Sequence, residues 1–221
     1  MSQTVVITGA NRGIGLSLTR HYLANGCTVY ALCRHSSPEL VASGAKVVEG
    51  VNMAEDAVVD NIRKALSGVS VDLLINNAGI LRDEVLGQIN FSTIREQFEV
   101  NSLGPIRAVE ALRDNLGSGA KVAMITSRMG SITDNTSGGR YGYRMSKAAL
   151  NIAAVSMARD LCSSGVAVAI VHPGLVGTEM IGGQGDITPD QAAERIARRI
   201  AELTLETSGS FWHSNGELLP W

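Results

Sequence analysis

A chain of 221 residues with 45% hydrophobic and 18% charged side chains can bury a sizeable core as an ordinary globular protein. Its formal charge of -2 argues against nucleic-acid or anionic-membrane binding, which needs a basic face, and no apolar run approaches the roughly 18 residues of a membrane span. The opening MSQTVVITG shows no basic stretch leading into an apolar one, and Cys27, Cys33 and Cys162 lack metal or redox spacing, so a cytoplasmic protein with reduced thiols is expected.

No repeat, low-complexity tract or linker divides the chain, so residues 1–221 are expected to form one domain. Residues 4–8 (TVVIT) read as a strand buried on both faces. A turn holding Gly9, Asn11, Arg12, Gly13, Ile14 and Gly15 follows, and then a helical pattern that stops at Gly26. Residues 27–33 (CTVYALC) give a second apolar strand. Strand, glycine turn, helix and strand form the unit that seats a pyrophosphate on a helix N-terminus, where backbone N–H groups and the helix dipole meet the anion. The glycines stand at 9, 13 and 15 rather than as Gly-x-Gly-x-x-Gly, so the signal depends on its place after the first strand.

The end of the second strand bears on which dinucleotide is bound. A carboxylate there would hold a ribose 2′-hydroxyl, whereas arginine suits a 2′-phosphate. The chain has Cys33 and then Arg34, and Arg12 reaches the same place from the glycine turn, so NADP(H) is preferred over NAD(H). A solvated strand-end arginine is the plainer alternative for Arg34.

Residues 45–51 read as a third strand and 54–66 as an amphipathic helix with Val58, Val59, Ile62, Ala65 and Leu66 inward. A fourth strand, 71–75, runs into Asn76, Asn77, Ala78 and Gly79 at the edge where open sheets bind ligands. Residues 91–116 are helical with an interruption at Gly104-Pro105, and Asn101 sits just before it. A fifth strand, 120–126, delivers Ser127 to the sheet edge. The next helix, 143–162, opens with Tyr143 and Lys147, neighbours on one face. Tyr141 competes for the same role but has no lysine four residues on. A sixth strand, 166–171, ends at His172-Pro173-Gly174, and His172 reads as structural. A short glycine-rich lid is expected around 175–188, then a helix from Asp190 to about Leu205 and an edge strand at 210–213. Strands alternating with helices, with near-continuous apolar strands, predict a single α/β Rossmann-type doubly wound domain with a mostly parallel, seven-stranded sheet. The histidines form no metal spacing, so no metal is expected.

Together these pieces resemble the short-chain dehydrogenase/reductase family over essentially the whole chain. The matching motifs are Thr8 to Gly15, Asn76 to Gly79, Asn101, Thr126 to Gly130, Tyr143 to Lys147 and Pro173 to Thr178. The run ITSRMGSI and the GELLPW ending look like the carbonyl-reductase group that includes Sniffer and C-factor-like proteins. The resemblance implies that Tyr143 is the acid/base, Ser127 orients the carbonyl, Lys147 lowers the phenol pKa and holds the nicotinamide ribose, and Asn101 serves a proton relay. It also implies cofactor contacts from the glycine turn, from Asn77, Ala78 and Gly79, and from Pro173, Gly174, Val176 and Thr178. The family often has Asp-Val after its third strand to meet adenine; Asn52-Met53 is the nearest candidate here, so an amide takes the carboxylate's place. The activity implied is hydride transfer between NADPH and a ketone, aldehyde or quinone, reversible to a secondary alcohol, in a homodimer or homotetramer. A nucleotide-bound signalling or sensor protein is the alternative. Arg34→Asp is expected to move the ratio of kcat/KM for NADPH over NADH toward NADH by about tenfold, roughly one charge-assisted hydrogen bond's worth; an unchanged ratio would reject the 2′-phosphate assignment.

Overall fold

In the computed structural model, which describes residues 2–221, seven strands form one all-parallel sheet in the order β3-β2-β1-β4-β5-β6-β7. The strands are β1 (Thr4–Thr8), β2 (Thr28–Leu32), β3 (Lys46–Val48), β4 (Val71–Asn76), β5 (Leu116–Ile125), β6 (Ala167–His172) and β7 (Phe211–His213). The helices between them are α1 (Gly13–Ala24), α2 (Pro38–Val41), α3 (Val58–Ala65), α4 (Phe91–Phe98), α5 (Gly104–Leu112), α6 (Tyr141–Asp160) and α7 (Pro189–Glu202).

Period-two alternation explains why both faces are apolar. Val5, Ile7, Leu73, Ile75, Ala123 and Val171 point to one face and pack with Leu18 of α1 and Ile196 and Ile200 of α7. Val6, Leu74, Val122, Met124, Val168 and Ile170 point to the other, against Ile62 of α3, Leu112 of α5 and Leu150 and Ala154 of α6. With helices covering both sides, strand order reverses direction of growth between β1 and β4, and the carboxyl ends of those two strands border the crevice where such sheets take ligands.

Four elements depart from the sequence expectation. The helix expected over 91–116 is α4, a five-residue π-helical segment (Glu99–Leu103) and α5, and residues from Leu116 already belong to β5. Pro105 has no N–H to bond back, and the wider π turn absorbs the break while placing Asn101 inward. The helix expected from residue 54 starts at Val58, because Asn52–Asp56 is spent on turns in which Asn52 and Glu55 carbonyls accept from Glu55 and Val58 N–H groups. Helix α6 starts two residues early, at Tyr141, so Tyr143 lies within its first turn. The short α2 was not expected, although Ser37-Pro38 is a helix-start signal and the Ser37 hydroxyl does accept from Leu40 N–H.

The two central strands are tied at their carboxyl ends by side chains. Thr8 Oγ1 accepts from the N–H groups of Asn77 and Ala78, each at 3.1 Å. Asn77 Nδ2 returns two bonds of 3.1 Å, to the carbonyls of Thr8 and Gly9. Thr8→Val keeps the shape and strands two N–H groups, so unfolding by denaturant should show a loss of about 1–3 kcal/mol; a loss below about half a kcal/mol would mean that the tie carries no weight.

Candidate active site

Beyond this tie the chain enters the glycine turn. Gly9 has a φ of +65°, and a Cβ on Gly15 would collide with the Gly9 carbonyl oxygen and with Asn77 Nδ2, so only glycine lets α1 begin this close to the β4 edge. The first turn of α1 has neither a side-chain cap nor an acidic residue. Its backbone donors therefore remain for an anion, the arrangement a pyrophosphate requires. Asn11 takes part through its carbonyl, which accepts from Ser37 Oγ at 2.8 Å, and Ile14 is partly buried at the helix start.

The residues expected to choose the dinucleotide are placed differently from one another. Arg34 is exposed at the end of β2, and its guanidinium makes no bond among the described residues. Arg12 Nη1 is 2.7 Å from Glu179 Oε2, with both side chains largely exposed. Such a pair is worth about 0–1 kcal/mol, so a phosphate dianion competes for Arg12 at little cost. Asn52 holds its own turn: Oδ1 accepts from Ala54 N–H at 3.2 Å and Nδ2 donates to Glu55 at 2.7 Å. One lone pair of that amide oxygen is left for an adenine amine.

On the other side of the crevice, Thr126 Oγ1 donates to Asn151 Oδ1 at 2.6 Å, which fixes the exit of β5 against α6. Ser127 follows, buried, with its Oγ accepting from Met129 N–H at 3.1 Å. Tyr143 is half-buried, and burial pushes its phenol above the ordinary value; the nearby Ser127 hydroxyl and the charge of Arg140 pull the other way. Lys147 lies one turn further along α6. It is 4% exposed, its Nζ donates to the Ile125 carbonyl at 3.0 Å, and it sits 5.9 Å from the centroid of the Tyr143 ring. Burial brings the Lys147 pKa down to about 8.

Asn101 is fully buried in the π-helical segment. Its Oδ1 accepts from Ile80 N–H and its Nδ2 donates to the Ile80 carbonyl, both at 2.8 Å, with a third bond of 3.0 Å to Ser146 Oγ. The amide spends its donors on pinning the segment after Gly79 to α6, beside Lys147. The three meet closely: a Cβ on Gly79 would lie 3.3 Å from Asn101 Oδ1 and 3.6 Å from Lys147 Nζ. From β6, Pro173 is anchored by Ser214 Oγ at 2.8 Å, Val176 is buried in a bridge to Ile187, and Thr178 comes within 3.4 Å of where a Gly13 Cβ would stand. Gly174, at φ +97°, turns the chain toward that crossing. His172 stacks edge-on against His213 at 4.8 Å, and burial with the nearby His213 and Arg128 holds its pKa down near 3, which leaves it neutral and unsuited to proton delivery.

The sequence-predicted residues of the loops follow the carboxyl ends of the strands, with the glycine turn after β1, Arg34 after β2, Asn52 after β3, Asn77 to Gly79 after β4, Ser127 after β5 and Pro173 to Thr178 after β6. The bonds of Lys147 to Ile125 and of Asn101 to Ile80 bring α6 and the π turn to the same edge. An open cavity of about 590 Å³ adjoins it, lined by Glu84, Val85, Met129, Arg140 and Arg144 among others. Thr8, named from the sequence only as the first residue of the glycine-turn motif, and Glu84, Ser146 and Asn151, not singled out there, bear on the site. Their partners lie 69, 58, 45 and 25 positions away, so no local spacing marks them. Among the described residues, no three His, Cys, Asp or Glu side chains are grouped to hold a metal ion.

Comparison with known proteins bears on this arrangement. A family model described as short chain dehydrogenase matches residues 3–188. The chain is 42% identical to 1-hydroxy-2-glutathionyl-2-methyl-3-butene dehydrogenase of Rhodococcus sp. (strain AD45), over 99% of both chains. It is also 42% identical to C-signal of Myxococcus xanthus, over 68% of this chain and 93% of that one. The carbonyl reductase Sniffer of D. melanogaster superposes with a TM-score of 0.89 at 26% identity, covering 100% of each chain. The NADPH-bound carbonyl reductase from chicken fatty liver gives 0.86 at 28% identity, covering 100% of this chain and 99% of that one.

Proposed function

This chain belongs to the short-chain dehydrogenase family of oxidoreductases, and from that premise we propose that it is an NADPH-dependent reductase of ketones, aldehydes or quinones, reversible to secondary-alcohol oxidation. The observation that carries the reading is the meeting of Tyr143, Ser127 and buried Lys147 at the sheet edge, across a crevice from a helix N-terminus with free donors.

NADPH supplies the hydride; the chain's residues do the rest. Reduction of a carbonyl builds charge on oxygen, which needs an aimed donor and a proton. Ser127 donates to that oxygen, and Tyr143 delivers the proton. The raised pKa of the buried phenol keeps it protonated at neutral pH, so it is charged with the proton that reduction consumes. Oxidation of an alcohol needs the phenolate, and its rate should rise as pH climbs toward that pKa. Lys147 uses one of its three donors on Ile125 and has two for the ribose hydroxyls and for a proton path. Because the Asn101 amide is committed to Ile80 and Ser146, its part in that path falls to its main-chain carbonyl in the π turn. Arg34, with Arg12 released from Glu179, receives the 2′-phosphate, in keeping with the NADPH-bound relative.

Residues 175–188 form the lid, closed at its base by the Val176–Ile187 bridge. The cavity beside Met129 and Arg140 supports a substrate mouth set by the segment 131–140. The Rhodococcus relative is named for a primary alcohol carrying a glutathionyl group, so a glutathione-conjugated primary alcohol and its aldehyde belong in the substrate panel. Exposed Leu103 and Ile106 around α5 and Met145 and Ile152 on α6 favour a homodimer through these helices. A cytoplasmic place agrees with the charge balance, and no helix among the described residues is long and apolar enough to cross a membrane. Likeness to C-signal favours a second reading, a nucleotide-bound signalling protein; there a variant without turnover would retain its biological effect.

Tyr143→Phe should lower kcat at least about 10²-fold, the scale of a lost general acid, with the NADPH Kd within about twofold; undiminished turnover would remove Tyr143 from the mechanism. Light scattering should give the mass of two chains, and a monomer at micromolar concentration would reject the helix-to-helix dimer.

A further inference from the structure

The start of α6 is held from outside. Arg140 occupies its N-cap position with φ 50°, the one non-glycine residue of positive φ among those described, and its side chain makes no capping bond. The N–H groups of the first turn, on which Tyr143 stands, would be left without partners. The segment after β4 provides a partner for one of them, at Gly142, and for the N–H of Arg140 itself. Glu84, 2% exposed, accepts from Gly142 N–H through Oε2 at 3.0 Å, and its main-chain carbonyl accepts from Arg140 N–H at 3.0 Å. The other carboxylate oxygen, Oε1, accepts from Gln97 Nε2 at 2.6 Å and from Thr93 Oγ1 at 2.9 Å, both on α4. Asp83 beside it takes Arg140 Nε at 2.7 Å.

We propose that Glu84 is a positioning residue for Tyr143, a buried carboxylate that caps α6 from a separate segment and thereby sets the phenol against Ser127. The inference rests on the reading of Tyr143 as proton donor. The amide N–H groups of Gly142 and Gln97 and the Thr93 hydroxyl face the two carboxylate oxygens, and the two amides reach them only as donors. Gln97 cannot turn its oxygen to help, because Oε1 already accepts from Arg82 N–H at 2.9 Å while Nε2 also reaches the Thr93 carbonyl at 3.1 Å. A glutamine at position 84 would oppose an NH2 group either to Gly142 N–H or to Gln97. Sideways relief is closed as well, since a Cβ on Gly142 would collide with Gln97 Nε2 and lie 3.0 Å from the Ile94 Cα. An error at Gly142 passes directly to the next residue, Tyr143.

The experiment compares Glu84→Gln with the exchange Glu84→Gln/Gln97→Glu. In the exchange, the amide at 84 gives its NH2 to the carboxylate at 97 and its oxygen to Gly142 N–H, and Arg82 N–H keeps an acceptor at 97, while the bond to the Thr93 carbonyl is given up, so recovery is partial. For Glu84→Gln, kcat should fall about 10- to 100-fold, the scale for a displaced catalytic group, with KM and the NADPH Kd within about twofold. The exchange should recover about tenfold of that loss. Full kcat in the single variant, a loss shared with NADPH affinity, or a loss that the exchange does not restore each overturns the proposal. Tyr143→Phe assayed alongside separates the two ideas: if it still turns over, the mechanism fails, whereas a dead Tyr143→Phe with an unimpaired Glu84→Gln sinks the Glu84 inference alone.

Discussion

The bond set joining Thr8 to Asn77 and Ala78 is the constraint on which the crevice depends. Strands β1 and β4 pair through their length, and at their carboxyl ends the backbone would otherwise diverge into two loops with unpaired groups. One hydroxyl and one amide close that gap from both sides. The glycine turn is thereby pressed onto the Asn77–Ala78 backbone, and α1 presents its N-terminus at a fixed place. The opposite wall is referenced to the same edge, because Lys147 bonds the last carbonyl of β5 and Asn101 bonds Ile80 just past β4.

That opposite wall is unusually polar for an interior. Glu84, Gln97, Asn101, Ser102, Ser146, Lys147 and Asn151 are all buried, and each would be costly without partners. Here they satisfy one another or the backbone: Ser102 Oγ donates to the Ser146 carbonyl at 2.8 Å, and Asn151 Nδ2 reaches the Gly130 carbonyl at 3.4 Å. A satisfied polar network has fewer alternative packings than an apolar contact of equal area, because each donor accepts only certain neighbours. That property suits a wall that must hold a phenol, a hydroxyl and an ammonium in register. Burial also shifts the groups in opposite directions, raising the phenol away from neutrality and lowering the ammonium toward it.

Most of the fold and the named site was legible in the chain itself. Each of the seven strands is a short apolar run closed by glycine, asparagine or a polar edge residue, and each was placed to within a few residues. The Tyr143–Lys147 spacing is local, and a helix turns it into proximity without further information. Where the structure adds to that reading, distant contacts carry the addition. The interruption expected at Gly104-Pro105 is taken up by a π turn, which places Asn101 where it bonds Ile80 and Ser146. Lys147 bonds the Ile125 carbonyl at the end of β5. Arg12 pairs with Glu179, a partner 167 positions away.

By itself, then, the sequence determined the alternation of strand and helix, the parallel sheet, the glycine turn that opens α1 and the placing of Tyr143 and Lys147 on one helix face. These follow from periodicity and from spacings of a few residues, which backbone geometry converts into structure directly. Only the tertiary structure decided the tie between Thr8 and Asn77, the commitment of the Asn101 amide, and the capping of α6 by Glu84. Those depend on which donors and acceptors arrive together once both sheet faces are covered, and a buried hydrogen bond has no signature in the chain until its partner is in place.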